Sequence, residues 1–293
     1  MLKHLCPSPL SPGRVVIVGA GGFVGAAAAD RLIAREIEVI ALTRQEIDLL
    51  SGGAPGQLAE ILRDTDTLLF IAAQAPVKNN AMLIDNLRMS AAVCAAISSI
   101  SVTHVIYVSS DAVYADSDSP LNEISCAQPA SLHGIMHLAR EVMLAEACKA
   151  PLCILRPTLI YGANDPHNGY GPNRFRRLAQ RGEELALFGA GEEQRDHVYI
   201  DDVAEIILRC VVHKSQGILN IATGTVTSFL DVAKKATELT RNTIAIKNLE
   251  RSGPMPHRGY RAFDPSATAL AFPDFCYTPL ETGLALSQKQ EFN

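Results

Sequence analysis

The sequence predicts an α/β fold, a doubly wound parallel sheet with a small lobe towards the C-terminus. Up to residue 161, short apolar runs take turns with longer segments rich in Ala and Leu, which is the pattern of parallel βαβ units. The runs are continuously apolar, as in strands that are buried on both faces. From residue 162 onward Gly, Asn and Pro become frequent, which favours loops and short elements in a second lobe.

The predicted elements follow one another along the chain. Strands are predicted at residues 14–18, 39–42, 67–71, 104–108 and 152–155. Helices are predicted at residues 26–35, 82–98 and 132–148. Ligands of such a sheet lie beyond the C-terminal ends of the strands, near the point where the strand order reverses. Residues that directly follow the strands are therefore the first candidates for a binding site.

The composition excludes several classes of protein. Of the 293 residues, 48% are hydrophobic and 19% are charged, which predicts a sizeable core and argues against global disorder. The net charge of −5 argues against a general nucleic-acid-binding protein. The seven cysteines form no Cys-x-x-Cys pair, as expected of free thiols in a reducing compartment. Neither a signal-peptide pattern nor a long apolar span is evident, so we expect a cytoplasmic protein that binds neither nucleic acid nor membrane.

A glycine-rich turn follows the first predicted strand. Residues 19–25 read Gly-Ala-Gly-Gly-Phe-Val-Gly and lead into the first helix. The first glycine allows a tight turn, the second lets the backbone approach a pyrophosphate, and the third permits close packing of the helix on the strand. The start of the helix adds free N–H groups and a positive dipole end. Because it lies between a strand and a helix, the turn predicts a Rossmann unit that binds NAD or NADP.

The end of the second strand bears on the choice of dinucleotide. An NAD-specific unit has an Asp or Glu there, which binds the 2′-hydroxyl of the ribose. This chain has Thr43-Arg44 instead, and an Arg suits the 2′-phosphate of NADP. The residues favour NADP over NAD, unless Arg44 is only a solvated surface side chain.

Further motifs recur in a fixed order along the chain. They are Ala72-Ala73-Gln74, the run YVSSDAVY at residues 107–114, Arg156-Pro157 before Tyr161-Gly162, and the run LFGAGEEQRDHVYIDDVA at residues 187–204. In this order they resemble the extended short-chain dehydrogenase/reductases of the NAD-dependent epimerase/dehydratase family, which act on nucleotide sugars. The last run is the most specific match, and the resemblance covers nearly the whole chain.

The resemblance implies a role for individual residues. Ser110 matches the catalytic serine, and Arg195 matches an arginine that meets a phosphate of the nucleotide sugar. Asp111 and Arg174 are further candidates for contact with the substrate. The residues implied in cofactor binding are Gly19, Gly22, Phe23, Val24, Gly25, Arg44, Asp48, Leu49, Ala72, Ala73, Gln74, Ser109, His137 and Pro157.

The chain departs from the family at the catalytic pair Tyr-x-x-x-Lys. In relatives the Tyr moves a proton at the sugar hydroxyl, and the Lys holds the nicotinamide ribose and lowers the pKa of the Tyr. Aligned on Pro129 and Glu141, these positions are occupied by His133 and His137.

Three interpretations follow from this departure. In the first, His133 is the acid/base, since an ordinary histidine pKa of about 6.5 suits neutral pH. In the second, the chain binds a cofactor or a nucleotide sugar without the usual turnover. In the third, the two histidines at i and i+4 bind a metal. The third is disfavoured because the Glu of a His-Glu-x-x-His motif is missing, and no metal is predicted.

Other positions leave alternatives open. Leu159 replaces an Asn that contacts the substrate diphosphate in many relatives. Asp111 follows the catalytic serine and either orients His133 or caps a turn. Arg174, Arg176 and Arg177 form a basic cluster on a predicted helix that faces either the nucleotide or solvent.

The sequence thus predicts an NAD(P)-dependent oxidoreductase of the epimerase, dehydratase or reductase type that acts on a nucleotide sugar. The alternative is a catalytically impaired relative that binds NADP or a nucleotide sugar in a regulatory or scaffold role. We expect the cofactor domain to comprise residues 1–161 and 195–225, and the substrate lobe residues 162–194 and 226–293. By resemblance, we expect a homodimer formed through the helices at 82–98 and 132–148.

Overall fold

The computed structural model describes residues 2–240 and 243–290 of the chain. Its strands are β1 (Lys3–His4), β2 (Arg14–Val18), β3 (Val39–Leu42), β4 (Asp66–Phe70), β5 (His104–Val108), β6 (Leu152–Pro157), β7 (Leu159–Tyr161), β8 (Leu185–Phe188), β9 (Gln194–Tyr199), β10 (Ser215–Ile221), β11 (Val226–Ser228), β12 (Ile246–Leu249) and β13 (Tyr260–Arg261). Its helices are α1 (Phe23–Ile33), α2 (Ala54–Ile61), α3 (Asn80–Ser99), α4 (Leu132–Ala147), α5 (Pro172–Gln180), α6 (Ile200–Val212), α7 (Phe229–Glu238), α8 (Ser266–Ala271) and α9 (Leu280–Gln290). Two short 3₁₀ helices span Asp111–Val113 and Pro256–Gly259.

A seven-stranded sheet in the order β1-β10-β6-β5-β4-β2-β3 forms the centre of the fold. All neighbours in it are parallel except β1, which runs antiparallel to β10. Every residue of β2, β4 and β5 is buried, as their continuously apolar sequences predict. β2 pairs with β3 on one side and β4 on the other, so the strand order reverses at β2. The predicted doubly wound α/β fold is confirmed.

Helices cover both faces of this sheet. On one face, α1 and α6 pack together, with Leu32 and Ile207 in the core beneath them. On the other face, α2, α3 and α4 enclose a second core around Leu58, Val93 and Leu144. The two layers fix the C-terminal ends of β2, β4 and β5, from which the candidate site is built.

The rest of the chain builds a smaller lobe around β9. That strand pairs with β7, β11 and β13, while β8 and β12 form a separate two-stranded sheet. α5 and α7 pack against each other over an apolar cluster that includes Phe175 and Phe229. After β9, the chain returns to the large sheet through α6 and β10. The predicted boundaries of the two domains remain a prediction.

Most predicted elements lie where the structure has them, with differences at their ends. α1 begins at Phe23, earlier than the predicted residue 26, because Gly22 is its N-cap. α3 begins at Asn80, where the side chain of Asn79 accepts a hydrogen bond from the amide of Met82 at 2.9 Å. β1 was not predicted at all.

One helix of the described residues, α3, is long and apolar enough to cross a membrane by length and composition alone, with a mean hydropathy of 1.3. It lies between α2 and α4, and residues along its length, including Asn86, Val93 and Ile97, are buried in the protein. Its apolar character is therefore accounted for, at least in part, by the core.

Candidate active site

The glycine turn has the geometry that a dinucleotide cradle requires. Gly19 has a φ of +102°, and a Cβ placed on it would lie 2.5 Å from the amide nitrogen of Ala72. A Cβ on Gly25 would lie 2.1 Å from the carbonyl oxygen of Gly19. Only glycine fits at these two positions. Gly22 caps α1 without a side-chain hydrogen bond, so the N–H groups of the first helical turn are left for a ligand.

A cavity of about 810 Å³ lies over this turn. Ten of the predicted cofactor residues line it: Gly19, Gly22, Phe23, Val24, Arg44, Asp48, Leu49, Ala72, Ala73 and Gln74. Gly25 does not line the cavity, because its role is to let α1 approach the turn. The glycine cradle, the open helix start and the apolar wall at Leu49 fit a dinucleotide.

The ribose end of this cavity carries an exposed cation. The side chain of Arg44 is 77% exposed, and its guanidinium lies 3.7 Å from the carboxylate of Asp48. Glu46 is occupied locally, since its carboxylate accepts the amide of Thr43 at 2.9 Å and also its hydroxyl. These two hydrogen bonds lower the pKa of Glu46. The carboxylate of Glu46, near the end of β3, is therefore engaged in the local turn with Thr43.

The loop after β4 is held by one buried side chain. Asn86 on α3 accepts from the amide of Gln74 and donates to its carbonyl, each at 3.0 Å. It also donates to the carbonyl of Met82 at 2.8 Å. This bidentate clamp fixes the loop that forms one wall of the cofactor cavity.

A second cavity of about 790 Å³ adjoins the first. Residues such as Val24, Ile71, Ala73 and Ile160 line both. The sequence-predicted residues that line the second cavity are Ser109, Ser110, Asp111, His133, His137, Pro157 and Arg195. The predicted catalytic residues thus come together next to the cradle. Ser109, His137 and Pro157, which were predicted to contact the cofactor, border this second cavity.

Ser110 and Asp111 form the turn after β5. The Ser110 hydroxyl caps the 3₁₀ helix by accepting the amide of Ala112 at 3.1 Å. The Asp111 carboxylate accepts the Nε of Arg261 at 2.8 Å, and the Arg261 guanidinium also bonds the Asp111 carbonyl. Asp111 therefore has a firm partner from the C-terminal lobe, while it lies near enough to His133 to favour the protonated imidazole.

α4 approaches this turn closely. A Cβ on Gly134 would lie 2.0 Å from the carbonyl oxygen of Ala112, so only glycine lets the helix pack here. The neighbouring His133 is half-buried, and its Nδ1 is buried without a hydrogen-bond partner in the described part of the chain. Burial lowers the pKa of His133 below 6.5, against a smaller opposite effect of Asp111. At neutral pH His133 is a neutral imidazole.

His137 lies one turn further along α4 and is buried. Its Nδ1 lies 2.7 Å from the hydroxyl of Tyr107, and its ring meets that of His133 edge-on at 4.7 Å between centroids. Burial, His133 and Arg140 together hold the pKa of His137 well below its usual value. His137 is therefore neutral too, and it is not an ammonium-like cation.

A buried ionic network supports the floor of the second cavity. The Glu141 carboxylate accepts the Ser109 hydroxyl at 2.5 Å and a fork of two hydrogen bonds from Arg156 at 2.9 and 2.5 Å. Arg156 in turn donates to the hydroxyl of Tyr114 at 2.9 Å. The Ser109 hydroxyl is thus held by Glu141. This hydrogen bond fixes the end of β5, which precedes Ser110.

The far end of the second cavity is rich in charge. Arg195 pairs with Glu193 and donates to the carbonyl of Pro256 at 3.1 Å. Nearby, Asp116 accepts from His257 at 2.5 Å and from Arg261 at 3.4 Å. Two guanidinium groups, those of Arg195 and Arg261, thus border one cavity and suit a diphosphate.

Arg174 does not join them. It is exposed on α5 and lines neither cavity. Its neighbour Arg177 holds the preceding loop, because it donates to the carbonyls of Ala163 and Asp165 at 2.8 and 2.7 Å. The buried Asn173 lines the second cavity instead and accepts the amide of Gly162 at 2.9 Å.

The sequence did not single out His197. It lies on β9 opposite Leu159 in the register of β7, and it lines the second cavity. Both ring nitrogens are buried, and in the described residues neither has a hydrogen-bond partner. Burial lowers the pKa of His197 to about 3.

The described residues contain no group of three metal-ligating side chains. The Nδ1 of His137 lies within hydrogen-bond distance of the Tyr107 hydroxyl.

Comparison with known proteins assigns the chain to a family. Residues 15–222 match the NAD dependent epimerase/dehydratase family over most of the chain. The chain belongs to this family. The match spans both the glycine turn and the turn after β5, so it includes the elements that build the two cavities.

Two curated relatives illustrate the range of the family. The chain is 28% identical over 218 residues to the 2-alkyl-3-oxoalkanoate reductase of Shewanella oneidensis, covering 64% of this chain and 54% of that protein. It is 30% identical over 154 residues to the dTDP-D-glucose 4,6-dehydratase of Bos taurus, covering 51% and 43%. The chain spans about half the length of these relatives.

The fold is also that of solved structures. MoeE5 in complex with UDP-glucose and NAD superposes with a TM-score of 0.81 at 23% identity, covering 96% of this chain and all of that one. This likeness confirms the fold. The glycine turn lies within the part of the chain that matches the family.

Some functional residues had no signal in the sequence. Tyr107 belongs to a predicted strand and a motif, but neither indicates its contact with His137, and Arg261 lies 150 residues from the Asp111 that it binds. Long-range partners of this kind require the fold.

Proposed function

We propose that this chain is an NAD(P)-dependent oxidoreductase of the epimerase, dehydratase or reductase type that acts on a nucleotide sugar. The observation that carries the proposal is the pair of adjoining cavities. One lies over a glycine cradle, and the other brings Ser110, His133 and Arg195 together. A bound dinucleotide and a bound sugar in these cavities would share a wall.

The cofactor in this proposal is NADP in preference to NAD. Gly19, Gly22 and the start of α1 would hold the pyrophosphate, and Leu49 would lie against the adenine. The exposed Arg44 guanidinium, whose only described ion-pair partner is Asp48 at 3.7 Å, supports contact with a 2′-phosphate. When bound, the nicotinamide supplies a hydride acceptor or donor.

His133 is the proposed acid/base. As a neutral imidazole with a lowered pKa, it can accept a proton from a sugar hydroxyl at neutral pH and return it in the reverse direction. Ser110 lies in the turn after β5, which α4 approaches closely at Gly134. Its hydroxyl would hydrogen-bond the reacting oxygen. His137 would seat the nicotinamide ribose.

Arg195 is the proposed diphosphate ligand, with Arg261 beside it. Both guanidinium groups are buried and paired with carboxylates, so their orientation is fixed before a ligand arrives. Asp111 borders the same space and would contact the sugar. Arg174 would reach a nucleotide only from the outer edge of α5.

A second candidate is a family member that binds but does not turn over. The loss of Tyr-x-x-x-Lys favours it, and so does the engagement of His137 by Tyr107. In that case the chain would bind NADP or a nucleotide sugar in a regulatory or scaffold role.

The proposed assembly is a homodimer in the cytoplasm. α3 and α4 pack side by side, and each leaves large apolar side chains exposed, with Ile84 at 50% and Val142 at 62%. Light scattering on the wild type and on Val142→Glu tests this proposal. We expect a dimer that the substitution weakens, and a monomeric wild type would contradict it.

The function is tested by hydride exchange between 4-deuterated cofactor and a panel of UDP-, dTDP- and GDP-sugars. We expect exchange with one class of sugar, reduced at least about a hundredfold in Ser110→Ala and in His133→Ala with cofactor affinity retained. Leu270→Ala, at an exposed position that lines neither cavity, is the control. Bound cofactor without exchange across the panel would support the binding role instead.

A further inference from the structure

Arg140 on α4 is a buried cation without a carboxylate partner. Its side chain is fully buried. Its Nε donates to the Ser90 hydroxyl at 3.0 Å and its Nη2 to the carbonyl of Ala72 at 2.7 Å. Among the described residues it takes part in no ion pair, since the nearby Glu141 is engaged by Arg156. A buried guanidinium of this kind is costly.

Aromatic rings and one backbone carbonyl compensate for part of that cost. The guanidinium carbon lies 4.3 Å from the ring centroid of Phe70 and 5.3 Å from that of Tyr107, within the range of cation–π attraction. The Ala72 carbonyl belongs to the loop that lines the cofactor cavity. The charge is thus fixed directly behind that wall.

Tyr107 connects this charge to His137. Its hydroxyl lies 2.7 Å from Nδ1 of His137. Arg140 has only N–H donors, so it cannot accept the phenol proton, and the Nδ1 of His137 lies within hydrogen-bond distance to accept it. Burial raises the pKa of Tyr107 to about 12, so the phenol keeps that proton. Nδ1 of His137 is then an acceptor, and Nε2 must carry the proton of the neutral ring.

We propose that Tyr107 and Arg140 are positioning residues that make His137 a permanently neutral Nε2–H donor towards a ligand oxygen in the second cavity. Tyr107 selects the tautomer through its hydrogen bond. Arg140 opposes a second proton on the ring through its fixed charge. This inference deepens the proposed function and depends on it only for the identity of the ligand, a ribose or sugar hydroxyl.

The arrangement separates the tasks of the two histidines. His133 is half-buried, faces Asp111 and can gain and lose a proton. His137 is enclosed by groups that keep it neutral. The titratable or charged groups that act on it directly are His133, Arg140 and Tyr107. Beyond these, Glu141 acts on Tyr107 and Asp111 on His133.

The test is the tautomer and titration of His137 in the ligand-free protein. Two-bond proton–nitrogen spectra of histidine-labelled protein report both, and His137→Gln identifies the signal. We expect the Nε2–H tautomer from pH 5.5 to 8.5 without titration. Tyr107→Phe should mix the tautomers, and Arg140→Met should raise the pKa of His137, because it removes one of the charges that lower it while burial and His133 remain. A wild-type Nδ1–H tautomer, or an Arg140→Met variant in which the pKa of His137 is not raised, would overturn the proposal.

Ligand binding gives a second readout. Tyr107→Phe removes one neutral hydrogen bond and should weaken cofactor or nucleotide-sugar binding about fivefold, with the acid limb of the pH profile unchanged. If Arg140→Met does not fold, Arg140→Lys, which keeps the charge, should keep His137 neutral. A correct tautomer in a protein that shows no exchange would contradict the proposed function and leave this inference standing.

Discussion

The glycine turn lines the first cavity and helix α4 lines the second, and the sequence constrains the two in different ways. At the turn the backbone itself is the binding element, and a Cβ at Gly19 or Gly25 would strike other backbone atoms. On α4 the proposed chemistry depends on side chains, and both His133 and Arg140 lower the pKa of the neighbouring His137. A binding site made of backbone atoms restricts which residues can stand at its positions. A site made of side chains can accept other residues, provided that charges and hydrogen bonds remain balanced.

We expect the glycine turn to tolerate substitution less than helix α4 does. In Gly25→Ala the new methyl would lie 2.1 Å from the Gly19 carbonyl oxygen, so we expect a loss of about 3 kcal/mol or more in unfolding free energy and loss of cofactor binding. Gly56→Ala on α2, where nothing lies within 4 Å, is the matched control and should gain about 0.5–1 kcal/mol. Denaturant unfolding and cofactor titration measure both. Unchanged cofactor affinity in Gly25→Ala would contradict the claim that the backbone of the glycine turn binds the cofactor.

Restoring a lysine on α4 should fail in this background. His137→Lys would bury an ammonium group near the unpaired Arg140 guanidinium, and we expect it to cost about 3 kcal/mol of unfolding free energy. Adding Arg140→Met should recover much of that loss, because only one cation then remains. A double-mutant cycle of unfolding free energies measures this coupling. A single variant as stable as the wild type would show that the two positions are independent.

The ribose end of the cradle should be adjustable, because a side chain decides it. Arg44→Ala removes a charge-assisted contact with the 2′-phosphate, so the Kd for NADP should rise about tenfold or more while that for NAD stays the same. Calorimetric titration with both dinucleotides measures the ratio. An equal effect on both would mean that Arg44 is only a surface residue.

The smallest effect is expected at His197. Phe in its place would remove two buried nitrogens without partners and should raise the unfolding free energy by about 1 kcal/mol. His104→Phe is the matched control, since the Nε2 of His104 bonds the carbonyl of Ser215 at 2.7 Å, and it should destabilise the protein. A loss of stability in His197→Phe would mean that the ring nitrogens have partners in solution.

The parts of the fold that could be predicted from the sequence are those with a local pattern of apolar residues. Continuous apolar runs gave β2, β3 and β5 with their observed ends, since burial on both faces leaves a clear pattern. β1 consists of Lys3 and His4, and two polar residues show no periodicity. Its pairing depends on contacts with β10 and on the bond of His4 to the Ser215 hydroxyl at 2.8 Å.

The candidate site divides in the same way. Ser110, His133 and Arg195 could be found because each stands at a fixed place in a motif. Tyr107 and Arg140 could not, because their roles come from a contact between β5 and α4 that no local pattern records.

The most direct test of the account is the pH dependence of kcat/KM, in the sugar-oxidising direction, with the nucleotide sugar that the exchange panel returns. His133 acts there as a base, so the rate should fall on the acid side as His133 gains a proton. Because burial lowers its pKa, the midpoint should lie below 6.5 and should be absent from the residual activity of His133→Ala. A rate with no acid limb down to the pH at which the protein unfolds, or an acid limb that persists without His133, would contradict the claim that this histidine has replaced the tyrosine.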